Sequence, residues 1–365
     1  MKPVSISGIG ILSPRGRGLD KFESALREGW VPPAFSKEGR PAYRIPAKDL
    51  IDREILNRAR RADRFSKLTV LAAHDALRDS NPSMEEARKS AGIIVATAFG
   101  AHSSIFKFLD GIIDYGETKV SPTTFAHSIH NAAAAYVASA LECNGPAITI
   151  TQFHFSFHQA LMLAYAWLSE GRVERVLVGV ADECSPAMEY ICEEKLSIAA
   201  DGRMDPLSFS ERPKVVPGEG SVFFLLSLDP SRAKYGSFSD IRIGKSARGW
   251  EDADLTIISG NAMAGSEAVY KNAIKEGSEV VAYSPIYGGL MSSGGFESTA
   301  AALTLKNQVR YGSPVFDKIG AGRIKEDASE PQELCAIQCV SHSCDGELAF
   351  LKLIKSQKGR NGENK

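Results

Sequence analysis

The sequence predicts an α/β protein whose sheets are covered by helices on their faces. Short apolar, β-branched runs such as Val4–Leu12 and Ala91–Thr97 alternate with longer segments of helical periodicity, as strand–helix alternation requires. The Ala-rich stretch Asn131–Leu141 reads as a buried helix, because alanine lets backbones approach closely. The chain has 365 residues, 44% of them hydrophobic, which exceeds the roughly 100–200 residues of one ordinary domain and implies a very large core or two fused units.

The elements follow in order. Val4–Leu12 is a strand, and a Ser-Pro-Arg-Gly-Arg-Gly loop leads into a short helix, Leu19–Glu28, with Phe22, Ala25 and Leu26 on one face. Residues 30–50 are Pro-rich and irregular. Arg58–Arg78 has a helical stripe of Phe65, Leu68, Leu71, Ala72 and Leu77. Ala91–Thr97 and Ala147–Thr151 read as strands, and Ser156–Glu170 as a helix with Ala160, Leu161, Ala164, Trp167 and Leu168 in phase. Val173–Val180 and Ser221–Leu228 are further buried strands. The second half offers strands at Asp240–Ile243, Leu255–Ser259 and Glu279–Tyr283, a helix at Phe296–Leu305, and a closing hairpin of Leu334–Val340 and Glu347–Leu353. Gly92–Ala101 (GIIVATAFGA) echoes Glu279–Gly288 (EVVAYSPIYG), a weak sign of duplication. The polar tail 356–365 is expected to be disordered.

Charge and cysteine content exclude several classes. With 43 basic against 44 acidic residues the chain lacks the basic domain of a dedicated nucleic-acid binder. No run reaches the roughly 18 apolar residues of a membrane helix. The opening Met1–Ile6 makes a poor signal peptide and a good strand. Six cysteines are too sparse for a disulfide framework, so a reducing cytoplasm is expected. Cys335, Cys339 and Cys344, with His342 nearby, do not have the spacing of a zinc ribbon, and no metal is expected. Gly8, Gly10, Gly16 and Gly18 fit no dinucleotide fingerprint.

Several motifs resemble the β-ketoacyl synthase branch of the thiolase superfamily. Val4–Pro14 (VSISGIGILSP) is similar to its opening strand and turn, and Arg61–Leu77 (RADRFSKLTVLAAHDAL) to the helix that follows. Val120–Asn131 (VSPTTFAHSIHN) resembles the segment at the dimer interface and acyl pocket. Pro217–Leu228 (PGEGSVFFLLSL) resembles the Gly-Glu-Gly strand. The resemblance implies a five-layer αβαβα sandwich of two similar halves. An N-terminal half over 1–230 and a C-terminal half over 231–355 are expected, in an obligate dimer.

The condensation chemistry implied by the resemblance needs a thiolate at the N-terminus of a buried helix, where macrodipole and backbone N–H groups favour negative charge. Two histidines then stabilise the developing charge. In this chain the match over 145–161 (GPAITITQFHFSFHQAL) puts His154 at the nucleophile position, with Phe153, Phe155 and Phe157 filling space that a thioester would need. Asn261 and Gly289 fall where the two histidines should be, and Ser341–Glu347 (SHSCDGE) replaces the Gly-Phe-Gly-Gly gate. No catalytic residue is therefore expected. His154 reads as a buried, hydrogen-bonded structural histidine rather than an acyl-imidazole nucleophile, which would be hydrolytically labile.

The resemblance then implies a catalytically silent homologue similar to chain-length-factor subunits. The alternatives are an acyltransferase or hydrolase using His154, and a homodimeric scaffold for acyl chains or carrier proteins. Phe125, His127 and His130 are expected at a pocket or interface. Arg60, Arg61, Arg64 and Lys67 form a candidate docking face for an acidic acyl carrier protein. The expected partners are an active β-ketoacyl synthase subunit and that carrier protein. No cofactor is expected beyond a phosphopantetheine that the carrier presents.

Overall fold

The computed structural model describes residues 1–80, 90–245, 253–274, 277–314 and 333–356. Apart from Ser356, the tail expected to be disordered lies outside them.

Ten principal strands form one continuous path, joined by a two-residue strand, Gly16–Arg17, on the first of them. They are β1 (Val4–Ser13), β2 (Ala91–Thr97), β3 (Ala147–Thr151), β4 (Arg175–Asp182), β5 (Gly220–Ser227), β6 (Ser237–Gly244), β7 (Leu255–Ile258), β8 (Val280–Ala282), β9 (Ala336–His342) and β10 (Leu348–Ile354). The spatial order is 8-7-9-10-6-1-5-4-2-3. Each run of five therefore repeats one topology. β2 pairs in parallel with β3 and β4, β5 runs antiparallel to β4 and β1, and β7, β8, β9, β10 and β6 repeat these relations. The runs meet where Val4 and Ser5 pair with Phe238 and Ser237. This topology equates β2 with β7 and β3 with β8. The sequence echo between Gly92–Ala101 and Glu279–Gly288 is thus one strand out of step: it likens β2 to β8.

The helices are α1 (Leu19–Glu28), α2 (Arg53–Arg58), α3 (Arg64–Asp79), α4 (His102–Tyr115), α5 (Pro122–Ser128), α6 (Ala132–Leu141), α7 (Ser156–Ser169), α8 (Pro186–Lys195) and α9 (Gly294–Asn307), besides shorter turns. The α3 and α6 side chains pack on one face of the first sheet, Leu68, Leu71, Ala134 and Val137 meeting Ile93, Val95 and Phe223. On its other face lie α7 and α9, whose Phe157, Leu161, Ala301 and Leu305 share a core with both sheets. Tyr270, from the short helix Val269–Ala273, covers the far face of the second sheet with Phe209. Five layers result. Position explains composition: α9 is buried from Gly294 through Leu305, as an apolar helix between two sheets must be.

The helix expected over Arg58–Arg78 begins only at Arg64, because α2 ends at Arg58. The chain turns at 59–63, and Asp63 caps α3 by accepting from the Ser66 N–H (2.9 Å). Capping supplies a partner that a continued helix would not need. Gly8 and Gly10 let α3 lie directly on β1. A Cβ at either position would sit 2.2 and 2.0 Å from the carbonyl oxygens of Ala76 and Ala72.

Candidate functional site

The edge strand β3 ends at Thr151, and the chain turns sharply into α7. Phe155 makes that turn in the left-handed region (φ 62°), which costs a non-glycine residue about 1–3 kcal/mol. The strained residue is therefore the neighbour of His154, not His154 itself. No side chain caps α7, so its first-turn N–H groups point toward the turn without intrahelical partners.

A small pocket of about 10 Å³ lies at this point. His154, Phe155, Ser156 and His158 approach it from the start of α7. Asn261, Gly294, Ser341 and His342 approach it from the second half of the chain. His154 is half-buried, and its Nε2 accepts the backbone N–H of Cys344 at 3.5 Å. The 341–347 segment thus sits over the turn that β3 and α7 make. Burial lowers the His154 pKa below the ordinary imidazole value, and Asp345 opposes the shift.

Two further imidazoles share the cavity, and the sequence reading assigned neither a role there. His158 is fully enclosed and pushed down to about 4 by desolvation alone. His342 is also pushed down to about 4, first by burial and then by the proximity of His154. Its Nδ1 lies 3.0 Å from the Tyr270 hydroxyl, which lies 2.8 Å from Ser259 Oγ. The i, i+4 spacing of His154 and His158 was the available signal. It was obscured because His158 falls in phase with the buried face of α7.

The other expected positions divide. Asn261 does reach the cavity; its side-chain amide donates to Leu290 O (2.8 Å) and Ser293 Oγ (2.9 Å). Gly289 does not line it. Its N–H donates to Val216 O and its carbonyl accepts from the Gly218 N–H, which makes it a backbone bridge to the 216–218 segment. Of the three phenylalanines expected to fill space, Phe155 and Phe157 are buried, whereas Phe153 is 60% exposed and packs on Phe99 (5.4 Å between centroids).

Phe125 is exposed and lies against Phe108. Ile113 on α4, Ile129 just after α5, Ile148 on β3 and Phe153 shortly after β3 are exposed as well. His127 and His130, expected with Phe125 at a pocket or interface, keep part of their surface exposed; His127 lies 2.9 Å from the Tyr136 hydroxyl, and His130 packs against Gly100.

The residues of the basic cluster differ in their pairing. Arg60 and Arg61 are exposed, but Arg64 turns inward to Glu219, which has no solvent exposure and also accepts from the Ile45 (2.7 Å) and Cys184 (3.2 Å) N–H groups. Burial selects this pairing, since an enclosed carboxylate must be matched. Arg64, one of the four expected docking residues, thus commits its charge to Glu219 while about a third of its side chain stays exposed. Among the described residues no group of three or more His, Cys, Asp or Glu side chains could hold a metal ion, and no helix is long and apolar enough to cross a membrane.

Comparison with known proteins agrees with this architecture. Nodulation protein E of Rhizobium sp. (strain N33) is 26% identical over 61% of this chain and 57% of its own length. The 3-oxoacyl-[acyl-carrier-protein] synthase 2 of Synechocystis sp. is 24% identical over 62% and 57%. The matched region thus spans about 57% of the length of these curated relatives. Among solved structures, a β-ketoacyl synthase from Burkholderia phymatum STM815 superposes with a TM-score of 0.83 at 16% identity, covering 98% of this chain and all of the other. The ishigamide ketosynthase/chain length factor gives 0.78 at 16% identity, covering 98% and 100%. These likenesses establish the thiolase-like fold. Residues 1–230, well over half of the sequence, match the model for the β-ketoacyl synthase N-terminal domain, and the chain belongs to the β-ketoacyl synthase family.

Proposed function

We propose that this chain is a non-condensing member of its family, acting as the chain-length-factor-like partner of an active β-ketoacyl synthase in a type II fatty acid, polyketide or aryl-polyene-type pathway. One observation carries the reading. The space at the start of α7 is only about 10 Å³, has an imidazole at the nucleophile position, and has no cysteine on its wall. Decarboxylative condensation requires a thiolate that can hold an acyl group, and neither thiolate nor room is present there.

The exposed apolar surface supports a role in association. β3 is an edge strand whose outer backbone groups are free to pair with another chain, with exposed Ile148 on it and exposed Phe153 shortly after it; Phe125 is a further exposed aromatic, on α5. In this reading Phe125 and Phe153 project toward the partner's acyl pocket and set its depth, while the partner supplies the cysteine and two histidines. Phe155, being buried, has no such part. Arg60, Arg61 and Lys67 remain as the docking face for an acidic carrier protein. The reading implies no cofactor of its own, phosphopantetheine arriving on the carrier, and a cytoplasmic setting.

The test is co-expression with a synthase that has an intact Cys-His-His set. An equimolar heterodimer in native mass spectrometry, and no condensation by this chain alone, are the expected results. A homodimer indifferent to the partner would favour an acyl-binding scaffold. Turnover of acyl thioesters by the isolated chain, abolished in His154→Ala, would overturn the proposal in favour of a hydrolase or acyltransferase.

A further inference from the structure

The pair of helices α4 and α5 is seated on the rest of the chain by its first turn. Over residues 102–128 only His102 and Ser104 are buried, while Phe106, Leu109, Ile113 and Phe125 are exposed. The residue before α4, Ala101, supplies no side-chain cap. Two carboxylates from other elements hold that turn instead. Glu183, just after β4, accepts the Ser103 N–H at 2.8 Å, and Asp63 accepts the Ser104 hydroxyl at 2.9 Å. At the far end of the helix pair, His127 lies 2.9 Å from the Tyr136 hydroxyl.

The two acids are not equivalent. Asp63 is only part-buried and also caps α3. Glu183 is 3% exposed, and among the described residues no arginine or lysine pairs with it and its Oε2 has no hydrogen-bond partner. Its charged and titratable neighbours are His102 on α4, Asp63 and Arg64 at the start of α3, Glu219 before β5, Arg44 and Glu189, and Asp182 and Cys184 beside it in the chain. Both arginines are committed elsewhere, Arg64 to Glu219 (3.0 Å) and Arg44 to Glu189 (3.0 Å). Asp182 accepts from Thr97 Oγ1 (2.7 Å) and the Ala98 N–H (3.0 Å), and burial raises the Cys184 thiol well above its ordinary pKa. His102 Nδ1 lies 3.8 Å from Glu183 Oε1, beyond a hydrogen bond, and burial pushes the imidazole down to about 4, so it brings no positive charge at neutral pH.

A buried carboxylate without a cation is accommodated by keeping its proton. Desolvation, joined by the like charges of Asp63 and Glu219, pushes Glu183 up to about 7, although the Ser103 N–H and the positive end of α4 favour the ionised form. Once ionised, the group needs water. β4 is buried along its whole length, so α4, buried only at its first turn, is the element that can yield to admit it. We propose that Glu183 is a proton-linked anchor of α4 and α5: with its proton it seats the first turn of α4, and without it that turn is released. The anchoring is complete below the ordinary carboxyl pKa and is lost as pH rises through about 7. Ile113 and Phe125, exposed on these helices, belong to the surface proposed above for association, so release regulates that association; this consequence rests on that reading, whereas the anchor does not.

The experiment is amide hydrogen exchange read by mass spectrometry on the full chain alone, with rates corrected for their intrinsic pH dependence. From about pH 6 to about pH 8.5, protection of peptides from α4 should fall by about tenfold or more, while peptides from β5 change by less than about threefold. In Glu183→Gln, which keeps an acceptor and cannot ionise, α4 protection should stay flat. Glu267→Gln, which removes a buried acid from the second half of the chain, should leave the α4 fall intact. Ser104→Ala, which cuts the tie to Asp63, should lower α4 protection at every pH and keep the fall. If Glu183→Gln fails to fold, Glu183→Met decides by the same loss of pH dependence. Flat α4 protection in the native chain, an equal fall in β5, or a fall that persists without the Glu183 carboxyl would each overturn the proposal. No partner synthase enters the measurement, so its failure is distinct from failure of the function proposed above.

Discussion

Arg64 and Arg60 lie four residues apart with opposite fates, and their substitution separates structural from surface charge. Arg64→Ala leaves the enclosed Glu219 carboxylate without its cation and should cost roughly 3–5 kcal/mol in chemical denaturation. Arg60→Ala should stay within about 0.5 kcal/mol. Buried acids and imidazoles also set the pH response. Burial raises Glu183 and Glu297 to about 7 and Glu267 to about 8, so the folded state holds protons that the unfolded state releases. Their contribution is complete below the ordinary carboxyl pKa and is lost as pH rises toward 7–8. His102, His158 and His342, each depressed to about 4, act in the opposite sense. Their contribution is present above the ordinary imidazole pKa of 6.5 and is lost as pH falls toward 4. The two sets offset one another between about pH 4.5 and 6.5. Stability should therefore fall on both sides of that window, and Glu267→Gln should flatten the loss between pH 6.5 and 8 in denaturant titrations.

At the scale of elements, edge strand and capped helix make separable predictions. Ile148→Lys places a charge on the exposed outer edge of β3 and should abolish association with a partner synthase while shifting the chain's own Tm little. Loss of fold instead of loss of association would show that β3 is needed internally. Asp63→Ala removes the α3 cap and should cost about 1 kcal/mol, read as a lower denaturation midpoint. A further cost is expected because Asp63 also accepts from Ser104 Oγ (2.9 Å) and so ties α3 to α4.

For the whole molecule, the repeated strand order places α7 and α9 at equivalent positions in the two halves and brings their starts together. That convergence lets residues from both halves enclose one cavity. In a heterodimer with an active synthase, Phe125→Ala with Phe153→Ala should shift products toward longer chains, measured by mass spectrometry of the released acyl groups. Unchanged chain length would remove these two side chains from the proposed role. The helices α2, α4, α5 and α8 are not legible in the sequence, whereas the family, the succession of the ten principal strands, five of the nine labelled helices and the histidine at position 154 are. Those features are local: period-2 and period-3.6 patterning and contiguous motifs survive without knowledge of the fold. Tertiary structure alone decided that Arg64 faces Glu219, that Phe155 is buried while Phe153 is exposed, and that Gly289 bridges backbone rather than lining the site. It also brought Cys344 to His154 across 190 positions of chain. Periodicity says which residues prefer to be buried, but not which distant groups they meet. Those meetings follow from how the two halves close on α7 and α9, and they satisfy buried polar atoms that no local pattern specifies.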